Sequence, residues 1–392
     1  MKILVITQNY PPDIGAASFR MKSLVDHLLE RKHSVTVLTG TPNRYGSFKS
    51  EYSNSEMKEN ITRIPTRKQS CNLFFRGIGF TDFFLKSYFK TKKLSKDADV
   101  IVSTSPQLLV AYLGALCKTK TKPFVLDIRD LWPDVILEMD ITTEKSSTYK
   151  LLKKIEKKCY KKADEIIINS PAFEQHISKY TDKPIHLITN GIDDQLFEDL
   201  SNFELKPYGN PFTITYAGNL GLAQQIDIIA DVATEFNNKF KFRIIGDGSG
   251  KNVFTEKINE RKIKNIEMID PLPRNELIVF YQMTDAFFVH LKDIDMFKKT
   301  IPSKIFEYIA TGKPVVYGLE GVAKSIMQEL QGNNYSFSPS DTNGLKNALN
   351  HLYNNLNANQ KTNETGKRIL KEKYLRSKLS QRFVEIIEGT KC

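Results

Sequence analysis

Residues 301–316 place Pro302, Ser303, Lys304 and Glu307 ahead of Gly312 and Pro314. This order predicts a tight loop, a short helix with Pro302 at its first position, a stop at Gly312 and a buried strand beyond. A helix start offers unpaired N–H groups and the positive end of a dipole, and both suit an anion such as phosphate. Lys304 adds a full positive charge in the first turn. Glu307, about one turn on, is spaced to accept hydrogen bonds from sugar hydroxyls. A phosphate anchor beside a hydroxyl reader implies a nucleotide-sugar site.

A second constellation is Asp127-Ile128-Arg129-Asp130-Leu131-Trp132-Pro133-Asp134, which follows an apolar run and holds the only tryptophan. Three carboxylates and an arginine at a strand end are costly unless paired or used. One of the carboxylates is placed to take a proton from an acceptor hydroxyl. The alternative is an ion-paired loop anchored by Trp132. Four glycine loops complete the set: Gly15-Ala16 after Pro11-Pro12, Asn190-Gly191-Ile192-Asp193, Gly218-Asn219-Leu220-Gly221, and Gly246-Asp247-Gly248-Ser249-Gly250-Lys251. Each follows a strand-like run, and each is also compatible with an ordinary turn. No dinucleotide G-x-G-x-x-G fingerprint and no Walker A ending occurs. The six histidines are scattered, with no HExxH. Asp97/Asp99 and Asp293/Asp295 are the acidic pairs that resemble metal ligands. The expectation is no metal and no other cofactor.

These residues need elements to hold them. Strands are predicted at 3–7, 34–39, 100–103, 124–128, 165–169 and 185–189, with a helix at 17–31. After a polar stretch at 199–211, read as an interdomain linker, alternation resumes. Strands are predicted at 212–217, 240–245, 266–269, 286–291 and 314–317, helices at 226–236 and 274–282, and a final helix at 371–387. Alternation of this kind implies two α/β halves, each a mostly parallel sheet covered by helices. Ligands in such sheets bind outside the carboxyl ends of the strands.

The chain of 392 residues suits two domains. The apolar run Leu108–Cys117 is far short of the roughly 20 residues that span a bilayer. Met1-Lys2 leads straight into a strand, so no signal peptide is read and a cytoplasmic location is expected. Cys71, Cys117, Cys159 and Cys392 are widely spaced, as expected of reduced thiols. The net charge of +12 is concentrated: residues 58–96 carry a local +8 and residues 145–162 a local +7. Nucleic acid, anionic lipid and phosphorylated substrates all fit such a surface. Residues 73–89 interleave Phe80, Phe83 and Phe84 with cations such as Lys86 and Lys90. This resembles an interfacial membrane segment. The alternative is an amphipathic helix with its aromatics in the core. The lysine-rich stretch 150–162 reads as a solvated helix with Leu151, Ile155 and Cys159 pointing inward.

Pro11-Pro12-x-x-Gly15, Arg129-Asp130-Leu131-Trp132-Pro133, Asn190-Gly191-x-Asp193, Gly218-Asn219-Leu220-Gly221 and Pro302-Ser303-Lys304-x-x-Glu307 stand in one family's order. On these the chain resembles the retaining two-domain glycosyltransferases of family 4, similar to bacterial capsule, O-antigen and exopolysaccharide enzymes and to the L-fucosamine transferase-like group. The resemblance implies the α/β GT-B fold, two Rossmann-like domains facing across a cleft. Residues 1–205 would bind acceptor, 206–370 would bind the nucleotide-sugar, and 371–392 would form a helix returning to the first domain. It implies transfer of a sugar, among candidates an N-acetylated amino sugar, from a UDP-linked donor to a lipid-linked saccharide. The donor-binding set would be Gly15, Ala16, Asn190, Gly218, Asn219, Gln224, Gly246, Gly248, Lys251, Thr300, Ser303, Lys304 and Glu307, with Glu307 on the ribose. Asp130, Arg129 and Lys304 would be catalytic. The partners would be donor, acceptor and the anionic inner face of the cytoplasmic membrane, with no nucleic acid. The sequence departs from the family at Lys299, where many members have Glu, and at Asn219 and Gln224, where many carry Arg and Lys. Lys304, Lys299 and Lys251 are the cations available instead. A sugar-nucleotide epimerase on the same scaffold and a basic nucleic-acid-binding protein are the competing readings.

Overall fold

The computed structural model describes residues 1–13, 15–42, 57–66, 73–138, 141–204, 207–355 and 363–390, with backbone alone for 73–78 and 80. The chain forms two compact units, Met1–Asn190 with Arg376–Cys392, and Gly191–Leu375.

The first unit is built on seven parallel strands: β1 (Lys2–Ile6), β2 (Ser34–Gly40), β3 (Asn60–Ile64), β4 (Val100–Thr104), β5 (Phe124–Ile128), β6 (Glu165–Ile168) and β7 (Ile185–Leu187). Their order is β3-β2-β1-β4-β5-β6-β7. The order reverses between β1 and β4, so crossover helices cover both faces and the carboxyl ends splay at that switch point. The helices are α1 (Ala16–Glu30), α2 (Leu73–Leu94), α3 (Leu108–Cys117), α4 (Asp134–Glu138), α5 (Ser147–Lys162) and α6 (Glu174–Ile177), with a C-terminal helix Arg376–Gly389. One face packs Phe83, Leu113 and Cys159 on the sheet. The other packs Leu24, Val25 and Leu28 of α1 with Leu379, Phe383 and Ile387 of the C-terminal helix.

The second unit has six parallel strands: β8 (Phe212–Asn219), β9 (Phe240–Asp247), β10 (Ile266–Ile269), β11 (Ala286–His290), β12 (Val315–Gly318) and β13 (Tyr335–Phe337). The order β10-β9-β8-β11-β12-β13 repeats the first sheet's plan, with its switch point between β8 and β11. Its helices are α7 (Asp194–Ser201), α8 (Ile228–Val232), α9 (Lys251–Glu260), α10 (Arg274–Gln282), α11 (Asp295–Lys298), α12 (Lys304–Ala310), α13 (Val322–Leu330) and α14 (Thr342–Asn354).

The expected boundaries at 205/206 and 370/371 fall elsewhere, and the stretch 199–211 is not the crossing point. Phe197 and Leu200 of α7 are buried in a core of the second unit, and Lys367 Nζ donates to Ser201 O at 2.9 Å. Leu370, Tyr374 and Leu375 join the same core, so the return begins at Arg376. Edge strands β3 and β13 escaped the sequence reading. Both are short, and their partly exposed, mixed composition carries little periodic signal.

Candidate functional site

At the carboxyl edge of the first sheet, the three carboxylates of the 127–134 run have different fates. Asp127 closes β5 and is fully buried. It accepts from Arg20 of α1 at two points, Nη2 at 2.9 Å and Nε at 3.3 Å, and from Thr104 Oγ1 at 2.8 Å. Arg20 Nη1 also donates to Thr189 O at 2.8 Å, tying the end of the 185–189 segment to α1. Asp134 accepts from Tyr149 OH at 2.8 Å and Lys153 Nζ at 3.0 Å. Among the described residues none donates a side-chain hydrogen bond to Asp130. Desolvation pushes its carboxyl up to about 6, against the opposing pull of Arg129. Arg129 is buried, and its backbone N–H donates to Ser105 Oγ at 2.7 Å. Two of the three carboxylates are thus structural. Asp130 is left poised to gain or lose a proton near neutrality.

The same edge gathers buried polar atoms that lack a partner among the described residues: Gln8 Oε1, Ser18 Oγ, Asn169 Oδ1, Ser170 Oγ, Thr189 Oγ1 and Asn190 Oδ1. They follow β1, β6 and β7, or lie in the first turn of α1. Buried polar groups are nearly always hydrogen-bonded, so a row of open ones along one edge calls for water or a hydroxyl-rich ligand. Asn190 was expected at a site; the others carry no sequence motif. Gly15 precedes α1 with φ 153°, in the region that favours glycine, and Ala16 is exposed at the helix start.

In the second unit, β8 parts from β11 after Thr215. The backbone pair thus freed at Ala217 is taken by Tyr308 of α12, which accepts from its N–H at 3.0 Å and donates to its C=O at 3.3 Å. This bond brings the glycine turn at Gly218 and the Ser303–Glu307 segment to the same strand end. Gly246 (φ 150°) lies so close to Gly218 that an added Cβ would fall 1.9 Å from Gly218 O. At Gly248 a Cβ would meet the Leu220 backbone at 2.5 Å. Mutual packing of the two loops therefore accounts for both glycines without a ligand. Asn219 Nδ2 donates to Gln224 Oε1 at 3.1 Å, as does the Gly221 N–H at 3.2 Å. His290 is wholly buried and hydrogen-bonds Gln224 O at 2.9 Å through Nδ1. Sequence reasoning missed His290, since a lone histidine at a strand end carries no motif. Lys251 Nζ pairs with Asp270 at 2.6 Å.

Glu307 Oε2 accepts from Lys304 Nζ at 2.8 Å and Tyr281 OH at 3.1 Å. Lys304 Nζ is also 3.2 Å from that hydroxyl. Oε1 of Glu307 has no partner among the described residues. Thr300 Oγ1 donates to Met296 O at 3.3 Å. The helix start differs from expectation: Ser303 is the N-cap, and Pro302 precedes it rather than opening the helix. With seven residues, α12 has a weaker dipole than a longer helix. Gly312, at φ 74°, does terminate it.

Lys298 Nζ contacts Asp295 at 2.8 Å and Asp293 at 3.5 Å, placing an ammonium between that acidic pair. Asp99 accepts from Lys2 N at 2.7 Å. A cluster the sequence did not suggest, Asp134, Glu156 and His176, brings three possible metal ligands together. Lys153 Nζ already stands there, 3.0 Å from Asp134 and 2.6 Å from Glu156.

The aromatic-basic region departs from expectation as well. Phe83 is 0% exposed in the core, and Phe84 stacks on Tyr112 with centroids 6.0 Å apart. Phe83 is thereby withdrawn from any membrane surface, whereas Phe84 is half-buried. Lys86 pairs with Asp82 at 2.7 Å, and Lys90 is exposed. The Phe80 side chain lies outside the described residues. On α5, Cys159 is buried as expected, whereas Leu151 turns outward.

Two doubly wound units of this plan are the GT-B architecture, and the chain is a glycosyltransferase. Residues 17–196 match the family model Glycosyltransferase Family 4, and residues 198–369 match Glycosyl transferases group 1. The chain is 24% identical over 275 residues to the probable glycosyltransferase WbjE of Pseudomonas aeruginosa, covering 67% of this chain and 68% of that one. It is 22% identical over 344 residues to the putative colanic acid biosynthesis glycosyl transferase WcaI of Escherichia coli, covering 82% and 84%. Its fold is similar to that of Anabaena Alr3699/HepE in complex with UDP, with a TM-score of 0.72, 14% identity, and 99% and 100% of the two chains covered.

Proposed function

We propose that this protein transfers a sugar, with retention of anomeric configuration, from a UDP-linked donor to a hydroxyl of a lipid-linked saccharide. The pathway would be bacterial surface-polysaccharide synthesis, on the cytoplasmic side of the membrane. The observation that carries the reading is Asp130, the one carboxylate of its run to which no described side chain donates, its pKa raised to about 6 beside a row of polar atoms left open among the described residues. The UDP in the Anabaena structure and the colanic acid relative support the donor and pathway classes.

In this reading the second unit holds the donor. Glu307 offers Oε1 to the ribose hydroxyls while Oε2 keeps Lys304 in place. Charge building on the departing diphosphate is met by Lys304 and by the N–H donors at the Ser303 helix start. The Asn219 and Gln224 carboxamides stand where many relatives use full cations; Lys299, beside Thr300, adds charge, and Lys251, paired with Asp270, stands at the other glycine loop. No metal is assigned to this step. In the first unit, the N–H groups at Gly15 and Ala16 suit an anion. Asn190, with its neighbours along the sheet edge, suits acceptor hydroxyls. Asp130, flanked by Arg129, receives the acceptor proton.

The test is a transfer assay against UDP-, GDP- and dTDP-sugars with product analysis by NMR. A new glycosidic bond of retained configuration, formed from a UDP-sugar, is expected. A donor epimerised without any acceptor, or inversion at the transferred carbon, would refute the reading.

A further inference from the structure

The loop between β1 and α1 is braced by the edge of the first sheet, through residues that carry no motif. The carbonyls of residues 8–11 are all engaged. Gln8 O accepts from the Gly40 N–H at 3.1 Å and from Thr39 Oγ1 at 3.2 Å, both at the end of β2. Asn9 O accepts from Thr7 Oγ1 at 3.0 Å, and Tyr10 O from the Asp13 N–H at 3.1 Å. Pro11 O accepts from Arg63 Nη2 of β3 at 2.5 Å. Arg63 lies opposite Thr39 in the parallel pairing of β2 and β3, so adjacent strands hold the loop at Gln8 and at Pro11.

Tyr10 adds a side-chain anchor. It is fully buried, and its hydroxyl donates to Glu59, whose side chain is wholly buried just ahead of β3. Lys22 of α1 balances this carboxylate from 3.7 Å and also pairs with Asp26. Burial lowers the pKa of Arg63, opposed first by the negative charge of Asp13, which therefore lies within electrostatic reach of the guanidinium. Charged groups from β3 and α1 thus converge on residues 10–13. Apolar side chains of similar volume would hold a strand edge as well or better, because buried ion pairs contribute little net stability. What a charged brace supplies is a single geometry for the loop.

We propose that Glu59 and Arg63 are positioning residues for sugar transfer: through Tyr10 and the Pro11 carbonyl they fix the turn that leads into Gly15 and the start of α1. This rests on the transferase reading, in which the Gly15 and Ala16 N–H groups meet an anion. Donors already in place need no reorganisation as charge develops, and a misplacement of about 1 Å can cost about 100-fold in rate. Neither Glu59 nor Arg63 has to touch the reacting atoms. A purely structural role predicts normal turnover in any variant that remains folded at the assay temperature.

Two measurements on the full chain test the proposal. Hydrogen exchange needs no substrate: Arg63→Met should speed exchange about tenfold over residues 13–19 and leave β4 unchanged. Steady-state transfer from the UDP-sugar that the parent turns over should show kcat lowered about 10- to 100-fold, with donor KM changed less. Arg63→Lys keeps a donor for the Pro11 carbonyl and should recover much of the rate, as should millimolar guanidinium added to Arg63→Ala. Glu59→Gln keeps an acceptor for the Tyr10 hydroxyl and should lose less rate than Glu59→Met. Arg31→Ala, which removes an ion pair with Glu388 at the surface of the same unit, should alter neither readout. Urea midpoints verify that each variant is folded. Parent-like kcat in folded Arg63→Met, a loss that neither Arg63→Lys nor guanidinium reverses, or unchanged exchange over 13–19 would overturn the proposal. A parent inactive with every sugar-nucleotide would refute the transferase reading itself, an outcome told apart because exchange is read without substrate.

Discussion

Arg20 on α1 and Asp127 at the end of β5 form a buried two-point ion pair, and the same guanidinium holds Thr189 O. Arg20 also lies 5.6 Å from the Phe383 ring centroid, so one side chain joins α1, β5, the 185–189 segment and the C-terminal helix. The pair sits three residues before Asp130 and anchors the strand from which that loop departs.

Removing one partner of such a pair leaves a naked buried charge. Arg20→Ala is expected to destabilise the protein by about 3–5 kcal/mol. Arg20→Met with Asp127→Asn should recover part of the loss, because no charge is then left unpaired. Urea denaturation of Arg20→Met, Asp127→Asn and the double variant measures the coupling.

Asp130 works against stability. Its carboxyl, raised by burial to about 6, disfavours the ionised form in the fold. A group with a raised folded pKa contributes stability below its unfolded pKa, near 4, and loses it as pH rises through about 6. Asp130→Asn should therefore be more stable than the parent at pH 8 by about 1–3 kcal/mol, with the difference vanishing below pH 4. The same change should cut kcat by about 10²–10⁴-fold with donor KM nearly unchanged, if Asp130 takes the acceptor proton. The parent's rate should fall on the acid side of about pH 6. A variant with full kcat would pass the proton to the departing phosphate.

The sequence made the alternating sheets legible because buried parallel strands read as short apolar runs between helices, as at Phe124–Ile128 and Ala286–His290. It also singled out Asp130 and Glu307, as polar residues after a strand and in the first turn of a short helix. It did not separate Asp130 from Asp127 and Asp134, since partners such as Arg20 and Lys153 lie far along the chain. Helical spacing could not say that Phe83 points inward and Phe89 outward, because residues 80–89 are aromatic on several sides. The unit boundary was misplaced because turn residues near 207–211 are a strong local signal. The burial of Phe197 is decided by distant packing.

Glu307 is held by two donors on Oε2, so a substitution disturbs Lys304 and Tyr281 and, on the proposed reading, the sugar-nucleotide. Glu307→Gln keeps the shape but loses the charge that holds Lys304. Hydrogen bonds to charged groups are worth about 1.5–3 kcal/mol, so UDP affinity should drop by about 10- to 100-fold. Tyr281→Phe removes one donor to Glu307 and should cost less, about 1 kcal/mol of binding. Isothermal titration with UDP reads both; an unchanged affinity in Glu307→Gln would remove this residue from the donor site.

His290 supports the same region from beneath. Its Nδ1 bonds Gln224 O, and its Nε2 is 3.1 Å from the Ser340 N–H, which must donate to it. The ring is therefore neutral, with its proton on Nδ1 and Nε2 as acceptor. Burial lowers its pKa, against weaker upward pulls from the Gln224 carbonyl and from Asp227. Because the unfolded chain takes up this proton near pH 6.5 and the fold resists it, stability should decline as pH falls below about 6.5. His290→Phe preserves stacking on Phe337, whose ring lies 5.7 Å away, but discards both hydrogen bonds. Urea midpoints at pH 5.5 and 7.5 should lie closer together in that variant than in the parent. Freed from His290, the Gln224 loop should also hold Asn219 less firmly, raising donor KM several-fold while kcat changes less. A parent whose midpoint does not move between the two pH values would show that this ring accepts its second proton without cost.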